Sequence, residues 1–256
     1  MDILSDQPTE VDPRFADPTY PEESLPTNHF IFNTSNLFVC GSPVGFFLYL
    51  RNATLLPRHD KSKPGTDSYS TPGVAGTQGT YGCIAVDNIY NVVNGYDPVA
   101  FTLNAAVDVA YAASLKPALI PPATTSLFSS LPNPFSRSKP PQNFPHTDTD
   151  PDPDRDPDRP ATIRLPSNVE LETHDFSREE IAEKRAYALN DNGQVDFYLN
   201  YGGGVSQYIT MLGAHSSYWI HRDFVRFVVR ETGRREGRRG ALGGMRARKK
   251  SVRGVR

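Results

Sequence analysis

Two residues of this sequence stand in settings suited to proton transfer. Asp97 follows an apolar, β-rich run at residues 89–93 and the turn residues Asn94 and Gly95. Strand, turn and acid in that order put a carboxylate at the carboxyl end of a strand, where sites assemble in open α/β sheets. Pro98 biases Asp97 away from the α region and so fixes the direction of its side chain. His215 lies in Ala214-His-Ser-Ser-Tyr-Trp219, among hydroxyls and aromatic rings. A histidine oriented by a carboxylate is a general base at neutral pH. Each residue has a plainer alternative: an Asp-Pro turn that ends a strand for Asp97, and a hydrogen-bonded structural histidine for His215.

The chain order, acid first and histidine much later, is that of the last two members of an α/β-hydrolase triad, in which the serine comes earliest. No Gly-x-Ser-x-Gly turn occurs in the 256 residues. Gly204-Val-Ser-Gln-Tyr208 has the first glycine, but Tyr208 stands where the crowded elbow needs a small residue, so Ser206 is not expected to be a nucleophile. Ser42, in Gly41-Ser-Pro-Val-Gly45, reads as a turn residue that bonds backbone. The serine is therefore expected upstream of residue 1.

Asp196 and Asp223 add two carboxylates. Asp196 falls in a strand pattern, where aspartate is disfavoured. The plainer reading of Asp223 is a helix N-cap. With Asp97 and His215 they make an Asp/Asp/His/Asp set able to hold a hard or borderline divalent ion. The spacings are wide and match no compact metal motif. The basic residues Arg246, Arg248, Lys249 and Lys250 can attract anionic lipid or bind nucleic acid without specificity; a solvated chain end is the plainer reading.

The supporting strands and helices are read from periodicity. Residues 36–40 and 89–93 are continuous apolar runs, suited to parallel strands buried on both faces. Residues 46–50 are a short helix or strand. Residues 52–80 form a long polar loop, and residues 104–114 a short Ala-rich helix. Ser177 and Glu180 predict a capping box ahead of a helix over residues 179–189. Residues 193–199 alternate as a strand, with Val195, Phe197 and Leu199 on one face. Residues 223–229 form an amphipathic helix with Phe224, Phe227 and Val228 inward. Strands alternating with helices give an α/β fold with a mostly parallel sheet.

Composition bounds the rest. The chain carries 23 prolines and a net charge of −2, with an acidic start and a basic end. Residues 1–28 read as a disordered acidic leader, residues 29–231 as the domain, residues 117–170 as a disordered insertion, and residues 232–256 as a basic disordered tail. Cys40 and Cys83 lie in apolar runs and read as buried free thiols of a reducing compartment. The start lacks the pattern of a signal peptide, and no apolar run is long enough to cross a bilayer. A cytoplasmic protein, peripheral on membranes at most, is the expectation.

Three blocks resemble one family, the DDHD-domain proteins, the intracellular phospholipase A1 group that favours phosphatidic acid. They are Leu37-Phe-Val-Cys-Gly-Ser-Pro-Val-Gly-Phe-Phe47, the stretch from Gly82 to Leu103 with its Asp-Pro-Val-Ala, and the stretch from Gln194 to Asp223 with His-Ser-Ser-Tyr-Trp. Fungal members look most similar. The resemblance implies the C-terminal part of an α/β-hydrolase-like domain. It carries the four name-giving residues onto Asp97, Asp196, His215 and Asp223, and implies a metal-binding role for them. The triad reading competes for two of the same side chains, because a histidine that ligates a metal cannot also shuttle a serine proton. The implied function is part of a phospholipase A1 that hydrolyses the sn-1 ester of phosphatidic acid or a related phospholipid. The alternatives are a non-catalytic metal-ion or lipid-binding module and a truncated inactive product. Expected partners are a phospholipid or an anionic membrane surface, with no specific nucleic acid and with homo-oligomerisation open.

Overall fold

A computed structural model of the chain describes residues 1–10, 19, 28–59, 61, 63, 71–122, 176–199, 213–234 and 241–250. Ser206, the side chain of Ser177 and residues 123–170 of the expected insertion lie outside them. The chain divides into two units, and the one comprising residues 1–124 and 176–256 holds every described strand and helix.

The fold is α/β. Strand β1 (Thr34–Cys40) leads into helix α2 (Val44–Leu50), which is preceded in the chain by a short helix α1 (Asp2–Asp6). Two-residue strands β2 (Leu56–Pro57) and β3 (Cys83–Ile84) pair in parallel as a separate small sheet. Strand β4 (Val86–Asn94) is followed by α3 (Asn104–Val107), α4 (Val109–Ser114) and β5 (Ala118–Leu119). Helix α5 (Phe176–Leu189), strand β6 (Asp196–Leu199), a 3₁₀ turn (Ser217–Ile220) and helix α6 (Arg222–Thr232) complete it. The main sheet has the order β1-β4-β6-β5, with every pairing parallel.

β4 is one of the two inner strands, beside β6, and its composition explains why. Apart from Asp87, its residues are apolar, aromatic or amide-bearing, and all but Asp87 are buried, as a strand covered on both faces requires. Ile89 joins a cluster with Leu48, Val107, Ala186 and Leu189 on one side. Tyr90 and Val92 join Phe197, Phe224, Phe227 and Met245 on the other. Tyr90 stacks on Phe38 at 4.8 Å between ring centroids, and Phe227 meets Tyr90 edge-on at 5.5 Å. Such pairs add roughly 0.5–1.5 kcal/mol each beyond the area they bury. β1, expected to be buried on both faces, is instead an edge strand and only half-buried. Its apolar run is spent on one neighbour, β4, and on the helices beside it.

Several element boundaries differ from expectation for identifiable reasons. The helix expected over residues 104–114 breaks at Asp108, whose carboxylate accepts from Tyr111 N at 2.9 Å and caps α4. Helix α5 begins earlier than expected, and Glu180 pairs forward with Lys184 at 2.7 Å. Phe197 and Leu199 pack into one cluster as expected, whereas Val195 packs into the other. The expected insertion starts too early: Ala118 and Leu119 pair with β6, and Ile120 is buried.

Both chain ends carry structure that composition hides. Residues 1–7, expected to be disordered, are fixed by polar contacts. Ser5 O accepts from the guanidinium of the buried Arg58 at 2.7 Å, and Gln7 exchanges hydrogen bonds with Phe30 and Phe32. At the other end Arg234, placed by composition in a disordered tail, has a side chain only 6% exposed. It bridges Asp191 and Glu231 at 2.9 Å each and donates to Tyr90 Oη at 3.2 Å. Asp191 also takes Lys63 Nζ at 2.9 Å. Burial pushes Asp191 up, but the Lys63 ammonium and Arg234 guanidinium outweigh it and hold the carboxyl below its usual range. Met245 is buried in the aromatic cluster, and Lys249 bridges to Leu115 through the backbone.

Candidate active site

The carboxyl ends of β1 and β4 lie side by side, with Cys40 in register with Val92. The turns at these two strand ends build the site. β1 ends at Gly41, whose φ of +55° is costly for any residue with a Cβ. β4 ends at Asn94, whose side-chain oxygen accepts from Tyr96 N at 3.0 Å and whose carbonyl accepts from Asp97 N at 2.9 Å. This Asx-type turn delivers Asp97 inward.

The Asp97 carboxylate is fully buried. Oδ1 accepts from Val99 N at 2.9 Å, and Oδ2 accepts from Tyr218 Oη–H at 2.9 Å. His215 Nδ1 lies 3.2 Å from Oδ1 and 3.1 Å from Oδ2. A buried carboxylate needs such donors to remain charged. Because an ionised carboxylate can only accept, the contact fixes the imidazole in its Nδ1–H form. Nε2 then carries the lone pair. The His215 side chain is 54% exposed, and its sole hydrogen-bond partner among the described residues is Asp97. The arrangement is an exposed imidazole held by a buried carboxylate, which is able to act as a base.

Sequence reading missed the parts that hold the pair. Tyr218 is buried and serves as a hub: its hydroxyl donates to Asp97 and accepts from Asn94 N at 2.9 Å. Burial, with Asp97 beside it, raises its pKa well above the usual tyrosine range, so it stays a donor. Asn94 Nδ2 also donates to Ala214 O at 3.3 Å, tying the histidine segment to the end of β4. The available signal was Tyr218 following His215 by three residues, across the turn that leads into the 3₁₀ element. Gly41 is the second missed part. A Cβ there would sit 2.5 Å from Asp97 Oδ2 and 2.7 Å from Tyr218 Cε2. Gly41→Ala is therefore expected to displace the pair and to cost about 1–3 kcal/mol in a thermal or urea melt, from overpacking and positive φ.

The remaining expected site residues are elsewhere. Ser42 Oγ accepts from Val44 N at 3.3 Å, and Ser42 O accepts from Phe101 N at 3.0 Å, so this serine turns the chain into α2. Asp196 is buried in β6. Its Oδ1 accepts from Asn91 Nδ2 and Leu103 N at 2.8 Å each, and its Oδ2 from Asn104 N at 2.9 Å. Asp223 sits in the first turn of α6, where a negative charge suits the helix dipole, 4.0 Å from His221 Nδ1. Among the described residues no three His, Cys, Asp or Glu side chains converge closely enough to hold a metal ion. The four residues implied as a metal set thus divide into one contacting pair and two acids engaged elsewhere. Among the described residues these four side chains do not converge as a ligand set for a divalent ion. Of the basic residues, Lys249 pairs with Glu183 at 3.4 Å, Lys250 Nζ donates to Ala113 O at 2.8 Å, and Arg248 donates to Gly244 O at 3.3 Å.

Among the described residues no helix is long and apolar enough to cross a membrane. No curated protein and no solved structure matches the chain. The model of the DDHD domain family matches it over residues 30–149 and 136–232, which together take in the Gly41 turn, the Asp97–His215 pair, Asp196 and Asp223. The chain belongs to the DDHD domain family.

Proposed function

We propose that the chain supplies the acid–base half of a serine ester hydrolase acting on phospholipids, with phosphatidic acid as substrate and the sn-1 ester as the bond cleaved. The observation that carries this reading is the buried Asp97 carboxylate on Nδ1 of an exposed histidine, at the carboxyl edge of a parallel sheet. Family membership and exposed apolar side chains beside the pair support it. Trp219 and Ile220 directly follow Tyr218, and Val99 and Phe101 follow Asp97; all four are exposed. Acyl chains have affinity for such surfaces.

In this reading a serine Oγ on a Gly-x-Ser-x-Gly turn, carried by polypeptide other than these 256 residues, attacks the sn-1 carbonyl carbon. His215 Nε2 takes the serine proton, and Asp97 stabilises the imidazolium. The tetrahedral intermediate expels the glycerol oxygen, which takes that proton from Nε2 and leaves as the lysophospholipid. Water, deprotonated by the same nitrogen, then attacks the acyl carbonyl, and the serine Oγ leaves with that proton as the fatty acid is released. Asp97 stays ionised throughout. The expected setting is cytoplasmic, with peripheral contact to an anionic membrane surface.

The test is product analysis with the native protein, captured from its source cells by an antibody to residues 81–101. Vesicles containing phosphatidic acid should yield free fatty acid and 2-acyl lysophosphatidic acid. Release of the sn-2 acyl chain instead would contradict the regiochemistry. No release from phosphatidic acid, phosphatidylcholine or phosphatidylethanolamine would contradict the hydrolase reading and favour a binding module without chemistry.

A further inference from the structure

We propose that Asp196 is a positioning residue, which clamps residues 101–104 to the sheet and thereby holds Asp97 against His215. The clamp is built from both strands beneath the site. Asp196 on β6 receives the backbone N–H groups of Leu103 and Asn104 and the Asn91 amide of β4. The same Asn91 Nδ2 donates to Phe101 O at 2.8 Å. Asn104 returns a bond, its Oδ1 accepting from Val195 N at 2.9 Å. Phe101 N is held by Ser42 O at 3.0 Å, next to the Gly41 cradle. Only three residues separate Asp97 from Phe101, and they begin with Pro98, whose φ is fixed. Val99 N is bonded back to Asp97 Oδ1. A shift of residues 101–104 therefore reaches Asp97 through a short, stiff segment, and reaches Gly41 through Ser42.

The chemistry of the site demands a carboxylate. All three groups around Asp196 are donors, so both of its oxygens must accept. Asparagine at this position turns an NH₂ group toward an N–H, which leaves a buried donor without an acceptor. The same count argues against a ligand role, because a metal would have to displace three donors that are 2.8–2.9 Å away, two of them in buried bonds. A catalytic consequence rests on the proposed hydrolase reading. The effect on the Asp97–His215 contact does not.

The experiment reads the imidazole ¹⁵N shifts of His215 in the full 256-residue chain, above the pH at which the ring is protonated. The expected wild-type state is mainly Nδ1–H, and Asp97→Asn sets the scale by removing the partner. Asp196→Asn is expected to lose about half or more of that Nδ1–H preference. Tyr111→Phe, which removes a buried bond to Gly193 O and none of the bonds of the clamp, is expected to leave it unchanged. Should Asp196→Asn fail to fold, Asn91→Ser removes the shared donor more mildly, and a smaller loss in the same direction is expected. A folded Asp196→Asn or Asn91→Ser chain with a wild-type tautomer would overturn the proposal. So would zinc, manganese, magnesium or calcium binding, measured by calorimetry with the metal alone, that Asp196→Asn abolishes.

Discussion

Asp97→Asn is expected to lower phospholipid hydrolysis by about 10⁴-fold, and His215→Ala by at least as much, in protein that carries the nucleophile. Asparagine keeps the shape of Asp97 but presents an NH₂ group to Nδ1. The imidazole then turns over its tautomer, and Nε2 carries a proton where the reaction needs a lone pair. Asparagine also faces the Tyr218 hydroxyl and Val99 N with one acceptor fewer. Because acid and base act as one unit, the double variant should be no slower than His215→Ala alone. Initial rates of fatty-acid release from phosphatidic-acid vesicles give this comparison. A double variant much slower than either single would mean that the residues act separately.

The second large effect concerns stability. Arg234→Ala is expected to cost about 3–5 kcal/mol, because it leaves the buried Glu231 carboxylate without its close cation and Asp191 with Lys63 in place of two cations. For a domain of this size that is a fall of about 6–20 °C in melting temperature. Asp191→Asn should behave similarly at neutral pH, leaving Lys63 and Arg234 without their shared partner. Its pH dependence follows from the sign of the shift. Asp191 is held below its ordinary range in the folded chain. Its contribution is thus complete above the unfolded aspartate value, near about 4, and is lost as pH falls through the lower folded value. The stability gap between wild type and Asp191→Asn should be constant from neutral pH down to about 4 and close below it. A gap that widened in acid would mean that the carboxylate is not held charged by its two cations.

Much of the frame was legible because it depends on local pattern. The apolar run before Asn94-Gly95-Tyr96-Asp97 made a strand that ends in an acid. Phe224, Phe227 and Val228 at helical spacing made α6 and its inward face. The order of Asp97 before His215 suggested the pair, and the fold brings these two residues, 118 apart in sequence, into contact. The parts that stayed hidden depend on polar contacts between distant residues, which leave no periodic trace. Tyr218 looks like any aromatic beside a histidine until its hydroxyl is seen between Asp97 and Asn94. Asp196 looked like a candidate ligand because a carboxylate in a strand is unusual. Its actual partners are the backbone of residues 103–104 and the Asn91 amide, and none is visible from its own neighbours in sequence. Arg234 and Met245 were lost in a basic, glycine-rich context whose composition outweighed two buried side chains. Residues 1–7 were misjudged for the same reason, since Ser5 and Gln7 act through Arg58, Phe30 and Phe32.

The most direct measurement is fluorophosphonate labelling of the native protein, with peptide mapping, in wild type and in His215→Ala. Labelling should fall on a serine in a Gly-x-Ser-x-Gly peptide outside the 256 residues and should all but vanish in His215→Ala, because the nucleophile has lost its base. Labelling at Ser42 or Ser206, or labelling that proceeds at the wild-type rate without His215, would contradict the assignment of Asp97 and His215 as the acid–base pair of a serine hydrolase.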